Sequence, residues 1–322
     1  MEIGDWAVDG HRTELFKELR ELGLESHLAE LDAFGLTIVT PAQAQAPGLH
    51  ERALEAVLRL SERRSGVVPD LQTGASHQGM QHPLGQHMRY VLWEDPVFEE
   101  VLLNAAMLGL VSWLVGTDCI LSLANAMLKG PGDNHILWHT DEQNKTVPVY
   151  SEHCSAVNAT FLLTDYTVEN GALAFLPGSH RFRRDPSATE SRDLSRAVPV
   201  VAPAGSFVIW GSHTWHASYP RTKPGLRGTV FFNFNRWHTQ TEEPYRDTCT
   251  QEALDRNPRR FAWLMDQFGL FPHKEEDLDV ARAVARGGYP SLLDAEPSKG
   301  SIPLKSSLPA RGVPALAQPP GS

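Results

Sequence analysis

The sequence feature that most limits the fold is a series of short apolar runs in the second half of the chain, each bounded by turn-forming residues. Glycine, proline and asparagine cluster between the runs, as in Gly130-Pro131-Gly132-Asp133-Asn134, and no long helical pattern interrupts them. Short strands at such spacing are typical of an antiparallel sandwich or barrel. The runs cover residues 119–129, 155–163, 172–176, 197–202, 206–210, 213–218 and 227–237.

Helical patterns flank this β region. Apolar residues recur at helical spacing over 11–33, 48–63 and 250–268, and a short β-branched strand is predicted at 35–40. We therefore predict one domain, mainly β with flanking helices. Its parts are an N-terminal helical region at 1–118 with a candidate active-site loop at 65–90, a catalytic core at 119–240, a C-terminal helical cap at 241–290 and a disordered proline-rich tail at 291–322.

One apolar run, residues 101–116, resembles a membrane span. It is shorter than the roughly 20 apolar residues that a spanning helix needs, and it contains Asn104. We predict a buried core helix and no membrane span.

Charge and cysteine content exclude other classes of protein. A formal net charge of −10 argues against nucleic-acid binding, which needs a basic surface. Cys119, Cys154 and Cys249 are far apart and form no Cys-x-x-Cys pattern, and the N-terminus lacks the segments of a secretory signal. We predict a cytoplasmic protein that acts on a small molecule. The sequence leaves a homo-oligomer open.

The motif His139-Thr140-Asp141 places an imidazole and a carboxylate two residues apart, so in an extended strand both point to one side. These are two ligands of a 2-His-1-carboxylate site for non-haem Fe(II). A second histidine must come from another strand, and either His213 or His216 could supply it. Arg227 opens the strand after these histidines, and its guanidinium suits a carboxylate.

Several motifs together resemble the phytanoyl-CoA dioxygenase family of Fe(II)/2-oxoglutarate-dependent oxygenases. They are His139-Thr140-Asp141, the segment at 169–181 (ENGALAFLPGSHR), Trp215-His216-Ala217-Ser218, and Arg227, which follows His216 by eleven residues. The segment at 169–181 is distinctive for that family. The motifs span about residues 140–230.

The resemblance implies a double-stranded β-helix, the jelly-roll or cupin-like fold. It implies that His139, Asp141 and His216 hold Fe(II) and that Arg227 pairs with the distal carboxylate of 2-oxoglutarate. Ser218 resembles a second contact to this carboxylate. Lys129 and Thr160 are assigned to the cosubstrate pocket on the same grounds.

Two departures from the family pattern concern the substrate. Thr140 stands where the family often has glutamine, and Thr160 where it often has tryptophan, so we do not carry over phytanoyl-CoA as the substrate. The predicted substrate contacts are Trp138, Gln143, Phe231 and Asn233. In contrast, we expect His213 to be a packed histidine, and Arg221 and Arg236 to be solvated charges.

The predicted activity is hydroxylation of an unactivated C–H bond in a small or lipophilic metabolite, with O2 and 2-oxoglutarate consumed and succinate and CO2 released. Asp141 favours oxygenation over halogenation, which would need a small residue at that position. Desaturation, epoxidation or rearrangement by the same site stays an alternative. Two further alternatives are a cupin-like metal enzyme that does not use 2-oxoglutarate and a non-catalytic binding protein.

Overall fold

The computed structural model describes residues 10–142, 149–268, 288–302 and 304, and within these residues two antiparallel sheets face each other. The larger sheet has the order β1-β7-β4-β9-β3-β2, and the smaller sheet has the order β6-β5-β8. The strands are β1 (Leu36–Val39), β2 (Gln86–Met88), β3 (Ile120–Lys129), β4 (Ala156–Leu162), β5 (Leu173–Phe175), β6 (Val198–Pro199), β7 (Phe207–Gly211), β8 (His216–Ser218) and β9 (Arg227–Asn235).

Helices cover the outer face of the larger sheet. They are α1 (Gly10–Glu21), α2 (Glu25–Phe34), α3 (Pro41–Ala44), α4 (Leu49–Ser65), α5 (Pro96–Leu102), α6 (Ala105–Val115), α7 (Tyr245–Thr248), α8 (Gln251–Arg256) and α9 (Arg259–Leu264). The main apolar core lies between these helices and the sheet. The sheet fold with flanking helices agrees with the sequence prediction.

Strand β3 shows why its sequence is mostly apolar. All ten of its residues are buried, because both faces of the strand are covered. Ala124, Ala126 and Leu128 pack into the helical core, while Asn125 and Met127 on the other face line a cavity between the sheets. A bulge between Leu121 and Leu123 interrupts the pairing of β3 with β9.

The single helix predicted from the apolar run at 101–116 is instead two helices, α5 and α6. The Asn104 side chain separates the two helices. Its Oδ1 accepts a hydrogen bond from the amide of Met107 at 3.1 Å and so caps the N-terminus of α6. Among the described residues no single helix is long and apolar enough to cross a membrane. The pair α5 and α6 would pass that test together, but a bend of 56° separates them.

Two other segments differ from the sequence prediction. The candidate loop at 65–90 contains a short 3-10 turn, Ala75–His77, and then β2, which joins the edge of the larger sheet. Residues 291–302, predicted as the start of a disordered tail, are held against α1, where the amide of Leu292 donates to Glu18 at 3.0 Å, and against α8. There Gln251 Nε2 donates to the carbonyl of Ile302 at 3.0 Å, and Ile302 is buried. A strand of three residues is too short to show an alternating pattern in the sequence. The tail is held by individual hydrogen bonds, which leave no periodic pattern either.

Candidate metal and cosubstrate site

A cavity of about 290 Å³, the central cavity, lies between the two sheets. The larger sheet contributes residues of β3, β4 and β9, and the smaller sheet contributes residues of β5 and β8. The candidate loop also takes part, because Leu84, His87 and Arg89 line the cavity. At the outer rim Arg89 Nη2 lies 3.0 Å from Glu242 Oε2, so an ion pair borders the opening.

Backbone pairing brings the three predicted metal ligands together. His139 and His216 exchange two backbone hydrogen bonds of 3.1 Å, and the amide of Asp141 donates to the carbonyl of Ser212 at 3.0 Å. One potential ligand atom from each of His139, Asp141 and His216 lies within 4.8 Å of the others. His216 rather than His213 therefore completes the group.

Hydrogen bonds leave the Nε2 atoms of both histidines available to a metal. His139 Nδ1 lies 2.9 Å from the carbonyl oxygen of Leu137, and His216 Nδ1 lies 3.1 Å from that of Thr214. A carbonyl only accepts, so Nδ1 carries the hydrogen of each neutral imidazole and Nε2 is the nitrogen left to bind a metal. His139 Nε2 is 3.6 Å from Asp141 Oδ1 and His216 Nε2 is 3.1 Å from Asp141 Oδ2. Two imidazole nitrogens and one carboxylate are the donor set that suits Fe(II).

The charges of these groups fit metal binding as well. Burial and the neighbouring His216 lower the pKa of His139 to about 4, so its imidazole is neutral at pH 7. Burial alone would raise the pKa of Asp141, but His216, His139 and Asn158 together lower it well below the ordinary value. Burial lowers the pKa of His216, yet Asp141 outweighs that effect and raises it. Asp141 is thus an anion facing two histidines.

His213 belongs to a separate buried group, as expected of a packed histidine. Its Nε2 lies 2.8 Å from Glu142 Oε2, and the same carboxylate accepts hydrogen bonds from Ser155 Oγ at 2.5 Å and Ser212 Oγ at 2.7 Å. Ser212 links this group to the metal ligands, because its carbonyl accepts the hydrogen bond from the Asp141 amide.

The other end of the central cavity is cationic. Arg227 lines this end, whereas its register partner Lys129 on β3 lines a smaller neighbouring cavity with His77 and Asn134, and both side chains are only 3% exposed. Arg227 Nη1 donates to the carbonyl of Gly171, and its guanidinium carbon lies 5.2 Å from the centre of the Tyr166 ring. Lys129 Nζ donates to the carbonyls of Asn134 at 2.6 Å and Tyr219 at 3.3 Å.

These two cations have no carboxylate partner among the residues that the structure describes, and Arg227 Nε is buried without a hydrogen-bond partner. Burial, and then the charge of Arg227, lowers the pKa of Lys129 to about 7. A buried charge is costly unless it is paired, so this end of the cavity is built to receive an anion.

Four of the remaining predicted cosubstrate and substrate residues lie at the central cavity. Ser218, Thr160, Phe231 and Asn233 line the central cavity. Ser218 Oγ also accepts a hydrogen bond from the amide of Ile136 at 3.0 Å.

Trp138 is not at the cavity. It packs in a separate buried cluster with Trp215, and its Nε1 donates to the carbonyl of Asp193 at 2.7 Å. Because alternate residues of an extended segment face opposite sides, His139 and Asp141 turn inward while Trp138 turns away. Its prediction as a substrate contact is therefore corrected. Gln143 lies outside the described residues.

The prediction of Arg221 and Arg236 as solvated charges is wrong. Arg221 is buried and donates to the carbonyls of Gly225 at 2.8 Å and Pro224 at 2.6 Å. Arg236 Nε donates to the carbonyl of Cys154 at 3.0 Å. Both arginines bind backbone carbonyls, which no residue pattern reveals.

Asn158 is the contact that sequence reasoning missed. Its Nδ2 donates to Asp141 Oδ2 at 2.6 Å, and its Oδ1 accepts from Asn233 Nδ2 at 2.7 Å. A signal existed, because Asn158 is two residues from Thr160 and so shares its strand face.

Comparison with known proteins places this geometry in a family. The family model for phytanoyl-CoA dioxygenase (PhyH) matches residues 47–229, more than half of the chain. The chain belongs to the phytanoyl-CoA dioxygenase family. The match includes β3 to β8, the three candidate metal ligands and Arg227. Family, fold class and enzyme class, that of Fe(II)/2-oxoglutarate-dependent dioxygenases, agree with the sequence prediction.

Individual relatives are distant. Dioxygenase af480 of Aspergillus fumigatus is 30% identical over 138 residues, which cover 42% of this chain and 44% of af480. Dioxygenase lolE1 of Epichloe uncinata is 24% identical over 258 residues, which cover 70% of this chain and 97% of lolE1. The chain thus matches less than half of one relative and nearly all of the other.

A solved structure supports the fold. EctD from S. alaskensis, crystallised with 2-oxoglutarate and 5-hydroxyectoine, superposes with a TM-score of 0.53 at 17% identity. The superposition covers 68% of this chain and 78% of EctD. At this identity the likeness concerns the fold of the core and leaves the substrate open.

Proposed function

We propose that the protein is an Fe(II)/2-oxoglutarate-dependent dioxygenase in which His139, Asp141 and His216 hold the iron and Arg227 holds the distal carboxylate of 2-oxoglutarate. The observation that carries the proposal is the pairing of two features in one cavity. One potential ligand atom from each of His139, Asp141 and His216 lies within 4.8 Å of the others, and the buried guanidinium of Arg227, with no carboxylate partner among the described residues, lines the same cavity.

The protein's own residues bind and orient the reactants. In this proposal Lys129 adds a second positive charge beside Arg227, and the hydroxyl of Ser218, which lines the cavity, holds the same carboxylate. Thr160 and its register partner Phe231 both line the cavity. Bound iron would supply the oxidising chemistry, in which O2 and 2-oxoglutarate are consumed and succinate and CO2 are released.

The reaction we propose is hydroxylation of a C–H bond in a small or lipophilic metabolite. Leu123, Met127 and Leu173 give the cavity apolar walls, while Asn233 offers a polar contact. Desaturation, epoxidation and rearrangement would use the same metal site. A metal enzyme that does not use 2-oxoglutarate would have no use for the buried Arg227, and a non-catalytic protein would not need a complete ligand set.

The test is release of succinate from 2-oxoglutarate with Fe(II) and O2, measured across a panel of candidate metabolites in the wild type and in His139→Ala. We expect iron-dependent succinate release in the wild type and a loss of at least about 100-fold in the variant, because removing one of three ligands opens the site. A wild type that binds neither Fe(II) nor 2-oxoglutarate would contradict the proposal.

A further inference from the structure

Asn158 and Asn233 are two buried amides whose side chains join the candidate metal ligand Asp141 to the wall of the central cavity. Asn158 is fully buried on β4, and Asn233 is its register partner on β9. We propose that the two form a relay that fixes the rotation of the Asp141 carboxylate and thereby sets the metal affinity of the site. This inference rests on the metal site proposed above.

The carboxylate needs such a device because its own torsion does not fix it. The final torsion of aspartate is broad, so packing around Cβ leaves the plane of the two oxygens free to turn. Asp141 Oδ2 accepts a hydrogen bond of 2.6 Å from Asn158 Nδ2, which holds that plane. Partners that orient a metal ligand are worth about 10-fold to 100-fold in metal affinity.

The chemistry of Asp141 also decides which way both amides point. As a metal ligand it is an ionised carboxylate and can only accept, so Asn158 must present its Nδ2 to it. The Oδ1 of Asn158 then faces Asn233, which must donate with its own Nδ2, as the distance of 2.7 Å between these atoms shows. Asn233 Oδ1 is left buried without a hydrogen-bond partner. Both hydrogen bonds of the relay therefore point the same way, because each amide donates through its Nδ2 toward Asp141.

This direction of donation predicts a change in metal affinity opposite to the change that charge alone predicts. Asn233→Asp adds a negative charge near the metal site, which by charge alone would strengthen cation binding. In the relay, however, a carboxylate at this position cannot donate to Asn158 Oδ1. Asn158 would be driven to rotate and to turn Oδ1 toward Asp141, where oxygen faces oxygen.

The experiment is a titration of the metal-free protein with Co(II), followed by visible absorption, which also reports the coordination of the ion. We expect Asn158→Leu, which keeps the size of the side chain and removes the donor, to weaken Co(II) binding by about 10-fold to 100-fold. Asn233→Asp should weaken it as well and change the Co(II) spectrum. Asn233→Leu, which only removes the support of Asn158, should have a smaller effect than either.

Asn125→Leu is the matched control. Asn125 is also an amide on the cavity wall, on the strand next to β9, but its side chain contacts His87 rather than a metal ligand, with the amide Oδ1 accepting from His87 Nε2 at 2.9 Å. Its Co(II) affinity should stay within about twofold of the wild type, and thermal unfolding followed by circular dichroism verifies that each variant is folded.

Unchanged affinity in Asn158→Leu, or tighter binding in Asn233→Asp, would overturn the relay while leaving the metal site in place. A wild type that does not bind Co(II) at all would instead overturn the metal site itself. The two failures are thus distinguishable in one series of titrations.

Discussion

At the scale of single residues, Lys129 should make cosubstrate binding depend on pH. Its ammonium is buried beside Arg227, and its pKa is lowered to about 7, so above that pH the ligand-free protein holds it increasingly as a neutral amine. A carboxylate bound nearby favours the charged form and raises this pKa, so binding takes up a proton. We expect the affinity for 2-oxoglutarate to fall as pH rises from 7 to 9, by up to about tenfold per pH unit.

Isothermal titration in two buffers of different ionisation enthalpy, without O2 and with Fe(II), measures both the affinity and the proton uptake. In Lys129→Met the affinity at pH 7 should be lower and its further decline toward pH 9 much weaker. Proton uptake that is the same in the wild type and in Lys129→Met would show that another group is responsible.

At the scale of elements, a glycine decides how the candidate loop joins the sheet. Gly85 precedes β2 and has a φ of +76°, and a Cβ there would collide with the carbonyl oxygen of Leu128 and lie 2.8 Å from Cα of Lys129. Both are backbone atoms that cannot swing away. Gly85→Ala should therefore push β2 off β3 and disturb Lys129.

Gly79 provides the control for this prediction. It lies in the same loop with a similar φ of +69°, but a Cβ there would meet nothing within 4 Å. Gly79→Ala should lower the free energy of unfolding only by the cost of the left-handed conformation, about 1–2 kcal/mol. Gly85→Ala should lower the free energy of unfolding, measured in urea, by about 1–3 kcal/mol more than Gly79→Ala does. It should also weaken 2-oxoglutarate binding. Equal costs for both variants would mean that the β2 junction can relax.

The elements also show how far the sequence could be used. The strands β3, β4 and β9 were predictable because they are long, apolar and bounded by turn residues, and β9 begins at Arg227 as the motif required. The break between α5 and α6 was not, since the apolar pattern continues across it and one Asn104 side chain decides the boundary.

At the site, the convergence of His139, Asp141 and His216 could be predicted because metal chemistry limits both residue type and spacing. The supports could not, because their partners are set by the register of the strands. Asn158 reaches Asp141 across the cavity, and Arg221 binds the carbonyls of Pro224 and Gly225 in its own turn. Such contacts leave no periodic trace in the sequence.

At the scale of the whole molecule, the ligand-free fold carries a cost at its cationic end that ligands should relieve. Arg227 and Lys129 are buried beside each other, and neither has a carboxylate partner among the described residues. A ligand that binds only the folded state adds about 2.7 kcal/mol at 100 times its dissociation constant. For a chain of 322 residues this corresponds to a rise in Tm of about 4 °C.

The same reasoning separates a binding role of Arg227 from a structural one. In Arg227→Met an unpaired buried charge gives way to an apolar side chain of similar length, so the ligand-free variant should be at least as stable as the wild type. Fe(II) should still raise its Tm, because the metal ligands are untouched, whereas 2-oxoglutarate should add nothing further. Differential scanning calorimetry under anaerobic conditions measures the wild type and the variant without ligand, with Fe(II), and with Fe(II) and 2-oxoglutarate. If ligand-free Arg227→Met instead unfolds several degrees below the wild type, Arg227 has a structural role. The hydrogen bond from Arg227 to Gly171 then stabilises the fold by more than the unpaired charge destabilises it.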